Sequence, residues 1–393
     1  MKRQRRTWAA LAAAGVVATS IQAGCGPDAA QSEDLPAYIR DALGQILADT
    51  WPEVMQSHLS DALRAADDLA EATAALDADP SSARSLTDAR NAWEDALAVW
   101  QRLEVMQIGP MASSLTAVGG RDLRDAVYSW PLTNRCLVDQ RTLRRDFSSE
   151  SFFDDVLVNS TGFDALETLL FSDPASHACP SQVISDAQWS DLGVSGIEEA
   201  RAEYAAVLAR RIASDVDDVA DLWASEFATS LAKPGTADSL FTDELSAANA
   251  LFDALFYLET HVKDQKLGWA LGTTTCGEDD CSSKLESPIA GRSSAWISEN
   301  LSGFRALFTG GNGMGLHDLL IIVEEPELAD RVLDALDAAD GAVAALDGPL
   351  DQVDTTSLEE AHAAIKAVTD LLRTDVATVL MLQVPSEAAG DND

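Results

Sequence analysis

Residues 82–106 read SARSLTDARNAWEDALAVWQRLEVM, and this stretch indicates the fold class. Its apolar side chains recur every three or four positions, which places them along one face of an α-helix. Ser82 is a suitable N-cap, and Gly109-Pro110 ends the pattern. The sequence therefore predicts a long amphipathic helix here. Its buried stripe consists of Leu86, Ala89, Trp93, Leu97, Trp100 and Leu103.

The same helical period recurs along the rest of the chain, while the alternating pattern of a β-strand is almost absent. With 47% hydrophobic residues, the chain has enough apolar material for a folded core. Ser357, followed three residues later by Glu360, resembles a capping box for the last helix. We therefore predict an all-α protein with two helical bundles. The further predicted helices cover residues 56–77, 195–230, 239–270, 291–308, 324–345 and 355–382.

Composition shifts suggest where the bundles meet. The stretch from Pro174 to Gly196 has few apolar positions and favours a boundary there. A five-residue echo, GFDAL at 162–166 against GFRAL at 303–307, fits an internal duplication. The predicted segments are a signal peptide (1–24), a polar tether (25–35), an N-terminal bundle (36–185), a C-terminal bundle (186–383) and a polar tail (384–393).

The N-terminus is typical of an exported protein. Basic residues precede a short apolar run, Trp8 to Ala18, which is too short to span a bilayer. Ala23-Gly24-Cys25 resembles a lipobox, in which Cys25 would be lipidated, although Gln22 stands where Leu is usual. Gly26 after the cysteine favours the outer membrane facing the periplasm, or the cell surface. The alternative is cleavage nearby and a free periplasmic protein.

The net charge limits the kinds of binding partner, and the cysteines predict disulfide bonds. The formal net charge is −38, which argues strongly against nucleic acid and anionic lipid surfaces as partners. In an oxidising compartment, four cysteines besides the lipidation candidate favour disulfides. Cys276 and Cys281 close a short local loop, which leaves Cys136 with Cys179. A zinc site is the alternative, but there is no CxxC pair.

The most suggestive segment for chemistry is STGFDALETLLF, residues 160–171. Asp164 and Glu167 are spaced i, i+3 near a predicted helix start, so both carboxylates project from one face. Two converging carboxylates suit a divalent or ferric ion. A purely structural role for both, at the helix start and in an ion pair, is the alternative. Walker, dinucleotide-binding, HExxH and GxSxG patterns are absent from the sequence.

Several blocks, in order, are similar to imelysin-like proteins. Gly162 and Glu167 match the family's GxHxxE motif. WEDALAVWQRLEVMQIGP at 93–110, YSWP at 128–131 and ESPIAGRSSAWISENLSGFRALFTG at 286–310 resemble its other blocks. The resemblance covers residues 40–385. It departs at Asp164, which stands where the family has His.

The resemblance implies a fold of two helical bundles and a metal site made by Glu104, Asp164 and Glu167. Replacing an imidazole with a carboxylate favours a harder ion than zinc, and iron is the favoured metal. The resemblance then implies an iron-binding envelope lipoprotein, with a possible transport partner. A metallopeptidase using Glu167 and a non-catalytic scaffold are the alternatives. We expect the carboxylates to meet at the bundle junction, facing a water-accessible cleft. A bound cation, or an arginine such as Arg121 or Arg292, would relieve their repulsion.

Overall fold

The structure, a computed structural model, describes residues 35–149, 151–277 and 281–389. The predicted signal peptide and lipidated Cys25 lie outside the described residues. Helices account for the regular structure throughout the described ranges, with no strand among them. The all-α prediction is therefore confirmed. The α-helices are α1 (Ala37–Asp49), α2 (Gln56–Ala78), α3 (Ala83–Glu104), α4 (Leu123–Val127), α5 (Arg135–Arg144), α6 (Phe152–Asp155), α7 (Gly162–Phe171), α8 (Asp186–Asp191), α9 (Gly193–Leu222), α10 (Ala228–Ala232), α11 (Glu244–Leu255), α12 (Gly268–Leu271), α13 (Ser293–Thr309), α14 (Leu316–Ile322), α15 (Pro326–Val343), α16 (Thr355–Leu371), α17 (Ala377–Leu380) and α18 (Ser386–Ala389).

Short segments of other helix types join or interrupt these elements. Segments of π-helix often mark functional positions, because the extra residue per turn redirects side chains. The π-segment Leu258–Leu267 carries His261 and Lys266. The π-segments are Thr50–Met55, Trp223–Phe227, Leu258–Leu267 and Leu372–Val376, and the 3₁₀ turns are Gly109–Met111, Asp146–Ser148, Val158–Ser160, Ser282–Lys284 and Leu350–Gln352.

Helix α3 behaves as its pattern predicts. Ser82 caps it by accepting a hydrogen bond from the backbone N–H of Ser85 at 3.1 Å. The predicted stripe is buried except at Leu86, which is half-buried. At the C-terminal end of the chain, the cap of α16 differs from the prediction. Asp354 is the N-cap, and Ser357 lies inside the first turn as the donor to it.

Helix α3 lies at the centre of the packing. It packs against α2 and against α13 from the second half of the chain, while α9 packs along α2 and α7. At the crossing with α13, an ideal Cβ on Gly303 would lie 2.2 Å from the carbonyl oxygen of Arg102. Glycine therefore lets the two backbones approach closely. The largest fully buried side chains include Trp93, Trp100, Trp223 and Trp296.

The described part of residues 31–393 belongs to one compact unit. The bundle boundary at residues 185–186 stays a prediction, as does the internal duplication. Gly162 begins α7, whereas Gly303 lies inside α13, so the two glycines of the sequence echo occupy different places in their helices. Helix α18 lies within the predicted polar tail, and its Ala388 is fully buried. No helix of the described ranges has the length and apolarity of a bilayer span.

Both predicted disulfides are present. Cys136 is bonded to Cys179, and Cys276 is bonded to Cys281. The first joins α5 to the segment that follows α7, where a small cluster of Ile184, Trp189 and Ile197 packs around it. It closes a loop of 43 residues. By the chain-entropy model, a loop of that size is worth about 3–4 kcal/mol.

Candidate functional site

Helix α7 carries the motif carboxylates into the interior. It begins at Gly162, whose φ is +74° and whose ideal Cβ would lie 2.6 Å from the carbonyl oxygen of Val127. A side chain at this position would be strained and would clash with the end of α4. Two bonds fix the helix against α3: Trp93 Nε1 donates to the carbonyl of Phe163 at 2.9 Å, and Arg90 Nε to that of Leu170 at 2.7 Å.

The two motif side chains are almost completely buried, with Asp164 7% and Glu167 4% exposed. The expected water-accessible cleft is therefore not present at these side chains. Glu167 Oε1 accepts hydrogen bonds from Ser287 Oγ at 3.1 Å and from the backbone N–H groups of Ile289 and Ala290 at 3.0 and 2.8 Å. Burial raises the pKa of Glu167, and these donors partly offset that effect.

Among the described residues, Asp164 accepts fewer hydrogen bonds than Glu167 does. Ser129 Oγ donates to its Oδ2 at 3.4 Å, and the backbone N–H of Trp130 also donates to the carboxylate. Burial, followed by the nearby Glu167 charge, raises the pKa of Asp164 to about 7. The Glu286 charge acts in the same direction. Asp164 is therefore a buried carboxyl group that is partly protonated near neutral pH.

Glu104, the third predicted ligand, is fully buried at the end of α3. Its Oε1 accepts from Trp100 Nε1 at 2.6 Å, and its Oε2 accepts from Arg124 Nε at 2.9 Å and from the Tyr257 hydroxyl at 3.3 Å. Burial raises the pKa of Glu104, and the attraction of Arg124 works against the rise. Both oxygens are thus engaged by protein donors.

The arginine that compensates this carboxylate is Arg124, which sequence reasoning did not select. The two predicted candidates pair at the surface instead: Arg121 with Glu226, and Arg292 with Glu94. Arg124 Nη2 is buried without a hydrogen-bond partner among the described residues. The prediction that Arg121 or Arg292 relieves the carboxylates is therefore wrong, because their side chains extend to other partners.

A fourth carboxylate, Glu286, joins the group. Its Oε1 accepts from Lys266 Nζ at 2.9 Å, from Gln101 Nε2 at 3.2 Å and from the Tyr128 hydroxyl. Its Oε2 is buried and has no hydrogen-bond partner within the described ranges. Lys266 is also bonded to Asn300 Oδ1 at 2.7 Å. Glu286 opens the family-like block at 286–310, so the sequence contained a signal for it.

The imidazole of His261 lies beside Tyr257, which donates to Glu104. His261 stacks on Tyr257 with ring centroids 4.5 Å apart, and its Nδ1 lies 2.8 Å from Thr260 Oγ1. Desolvation, helped by the charges of Arg124 and Lys266, lowers the pKa of His261 to about 3. The ring therefore stays neutral at physiological pH.

Glu104 pairs with Arg124, and Glu286 pairs with Lys266. The charges of Glu167, Arg124 and Glu286 all act on Asp164. We call this set the carboxylate cluster: Glu104, Asp164, Glu167 and Glu286 with Arg124 and Lys266. Arg135 adds a weaker attraction to Glu167. Across residues 35–149, 151–277 and 281–389, no three His, Cys, Asp or Glu side chains are already gathered as a metal-binding group. With all four carboxylates ionised the cluster carries more negative than positive charge, and either another cation or a proton on Asp164 would reduce that excess.

Comparison with known proteins identifies a family and similar folds. The sequence pattern of the Imelysin family (Peptidase M75) matches residues 55–378. The fold is similar to that of an iron-regulated protein A precursor from Parabacteroides distasonis, with a TM-score of 0.67 and 18% identity, covering 87% of this chain and 94% of that one. It is also similar to an imelysin-like protein from Psychrobacter arcticum, with a TM-score of 0.62 and 17% identity, covering 88% and 98%. No curated protein matches the sequence.

Proposed function

The chain belongs to the imelysin family, and on that basis we propose that it is a cell-envelope lipoprotein that binds iron or another hard cation. The excess of buried carboxylate in the carboxylate cluster is the observation that carries this proposal. Hard cations prefer carboxylate and other oxygen ligands. One neighbour in fold is described as iron-regulated, which fits the choice of iron.

The four carboxylates of the cluster have different proposed roles in binding the cation. Asp164 and Glu286 are the proposed direct ligands, because Asp164 is loosely held and Glu286 Oε2 has no partner among the described side chains. Glu167 is the third, through Oε2, because Oε1 already accepts three hydrogen bonds from the 287–290 loop. Glu104 would act through Arg124, since coordination by Glu104 would require breaking their 2.9 Å contact. The cation would draw the ligands together, and it would displace the proton from Asp164.

A peptidase role finds less support in these contacts. Hydrolysis by a metal centre needs an activated water and a base beside it. Glu167 would be the base, but its Oε1 accepts three hydrogen bonds from the 287–290 loop and its other oxygen is the proposed cation ligand. The family's motif His, a good zinc ligand, is Asp164 here. Hydrolysis of an unfolded protein substrate by the purified chain would favour the peptidase alternative.

Titration of the purified protein tests cation binding. We expect iron(III), supplied as its citrate complex, to bind wild type more tightly than zinc or copper. Glu167→Gln should weaken binding at least about tenfold, because a charged ligand is lost. Asp164→His should keep binding and shift the preference toward zinc. Calorimetry measures all three.

The exposed carboxylate variant Asp155→Asn is the matched control and should bind as wild type does. If wild type binds none of these ions, the scaffold alternative is the remaining one. If Asp155→Asn weakens binding as much as Glu167→Gln does, the effect is one of general surface charge and not of the cluster.

Anchoring through Cys25 is a separate part of the proposal. The acyl chains would hold the protein on the membrane, and α1 begins at Ala37, twelve residues after Cys25. We expect the expressed full chain to partition into the detergent phase of a Triton X-114 extract. Cys25→Ser should move the protein to the aqueous phase. Equal partitioning of the two proteins would contradict the anchor.

A further inference from the structure

A second polar site lies beside the carboxylate cluster. It is a cavity of about 180 Å³ between α5, the end of α7, the segment after α7 and α9. Arg135, Asp139, His177 and Arg201 line it together with Ile289. Ile289 separates the cavity from the cluster, because its backbone N–H donates to Glu167. The volume exceeds that needed for one water and is enough for several waters or a small organic anion.

Polar atoms without partners concentrate around this cavity. Arg135 Nε, Arg201 Nε and both ring nitrogens of His177 are buried and make no hydrogen bond within the described parts of the chain. His177 comes no closer to a carboxylate than 3.4 Å, to the exposed Asp186. Buried polar groups nearly always have partners. Asp139 Oδ1, an acceptor that lies 3.7 Å from Arg201, also has no hydrogen-bond partner among the described residues. The Nε donors of the two arginines are still without acceptors in that part of the chain, and they indicate a ligand that brings acceptor atoms.

Arg201, one of the two arginines that line the cavity, already pairs with a carboxylate. Arg201, whose side chain is 5% exposed, donates through Nη1 to the carbonyl of Ser172 at 2.7 Å and through Nη2 to that of Ser176 at 3.3 Å. Its charge faces Asp139 at 3.7 Å. Asp139 Oδ2 in turn accepts from the backbone N–H of Ala178 at 2.6 Å. Arg201 and Asp139 therefore compensate each other while they hold the cavity wall.

Arg135 is the second arginine that lines the cavity. It is half-buried, and among the described residues no carboxylate lies within ion-pair distance of its guanidinium group. Its influence on Glu167 and Asp139 is through space only. The adjacent Cys136 is bonded to Cys179, next to Ala178 on the opposite wall. This disulfide fixes the wall that carries Arg135 against the wall that carries His177.

We propose that this cavity binds a small carboxylate anion, with Arg135 as the charged anchor and His177 and Arg201 Nε as further donors. The planar guanidinium matches a carboxylate with two parallel hydrogen bonds. A carboxylate arm suits the anchor better than phosphate does, because its two oxygens lie in one plane with the guanidinium fork, whereas the oxygens of phosphate are arranged tetrahedrally. The anion has two possible sources: a free carboxylic acid, or the carboxylate arm of a metal chelate.

Calorimetric titration with citrate, iron(III) citrate and inorganic phosphate tests this proposal on the wild-type chain. We expect citrate in at least one of its two forms to bind, and phosphate to bind more weakly. Arg135→Gln should reduce that binding roughly tenfold or more, since a charged hydrogen-bonding partner is lost. Arg135→Lys should restore part of the affinity, because it keeps the charge without the planar fork. Arg84→Gln, at an exposed arginine, should bind as wild type does.

The two sources give different results. Binding of metal-free citrate that survives in Asp164→Asn assigns the site to a free acid, and this result does not depend on the proposed cation function. Binding of the iron complex alone, weakened by both Arg135→Gln and Asp164→Asn, assigns it to a chelate. The proposal is overturned if neither form binds wild type, if phosphate binds more tightly, or if a correctly folded Arg135→Gln, checked by circular dichroism, binds unchanged.

Discussion

Replacing Arg124 with Gln is expected to lower the free energy of unfolding by about 3–5 kcal/mol, because it leaves a buried carboxylate without its ionic partner. Glu104 is fully buried, and its Oε2 faces Arg124 Nε at 2.9 Å. A buried charge without an ionic partner is costly, and the neutral Gln side chain does not supply one. Urea unfolding at neutral pH, followed by circular dichroism, measures the loss.

Arg121 provides the matched control three residues away. Its pair with Glu226 is exposed on both sides, and exposed pairs contribute about 0–1 kcal/mol. Arg121→Gln should therefore leave stability nearly unchanged. The double variant Glu104→Gln with Arg124→Gln should recover part of the loss, since it removes both charges. Equal effects of the two arginine substitutions would show that the buried pair is not what stabilises this region.

Asp164→Asn is expected to stabilise the metal-free protein at high pH. The pKa of Asp164 is about 7 in the folded state, whereas an unfolded Asp titrates near 3.9. Above pH 7 the carboxylate is charged in both states, and its burial beside Glu167 opposes folding. As the pH falls from about 7 to about 4, the folded state takes up the proton first and this penalty disappears. Below about pH 4, both states are protonated and Asp164 has no effect.

The difference in unfolding free energy between the variant and wild type should therefore be near zero at pH 4. It should rise to the order of 2–4 kcal/mol in favour of the variant at pH 8. Asp155→Asn, at an exposed position, should show no such trend. A variant less stable than wild type at pH 8 would mean that the Asp164 charge is already compensated without a cation. Urea titrations across this pH range in the presence of a chelator decide the matter.

Much of the fold could be predicted from the sequence, because helical period and capping are local properties. The stripe from Ala89 to Leu103 is buried as its spacing predicts, and Ser82 caps the helix. The sequence pattern favours Ser357 as the cap of α16, whereas Asp354, three residues earlier, is the N-cap in the structure. Both residue types are good caps, and the sequence alone does not rank them. The disulfide pairs followed from counting cysteines in an exported chain.

The candidate site was less predictable, since its partners come from distant parts of the chain. Tyr257 directly precedes the π-segment Leu258–Leu267 and Lys266 lies in it, and no local pattern connects them with Glu104 or Glu286. Arg121 precedes α4, whereas Arg124 lies in it, and choosing Arg124 requires knowing that this five-residue helix turns its side chain toward the core. A helix that short contains too few residues to show a period. Only the packed structure distinguishes the buried arginine from the exposed one.

The most direct test of the central claim is the metal content of the protein after equilibrium dialysis against iron(III) citrate at pH 8. We predict stoichiometric iron in wild type and in Asp155→Asn, and little in Asp164→Asn. The account requires the cluster's uncompensated carboxylate to hold the ion, so the loss should follow Asp164 and not a surface aspartate. Iron absent from wild type, or retained equally by Asp164→Asn, would contradict the account.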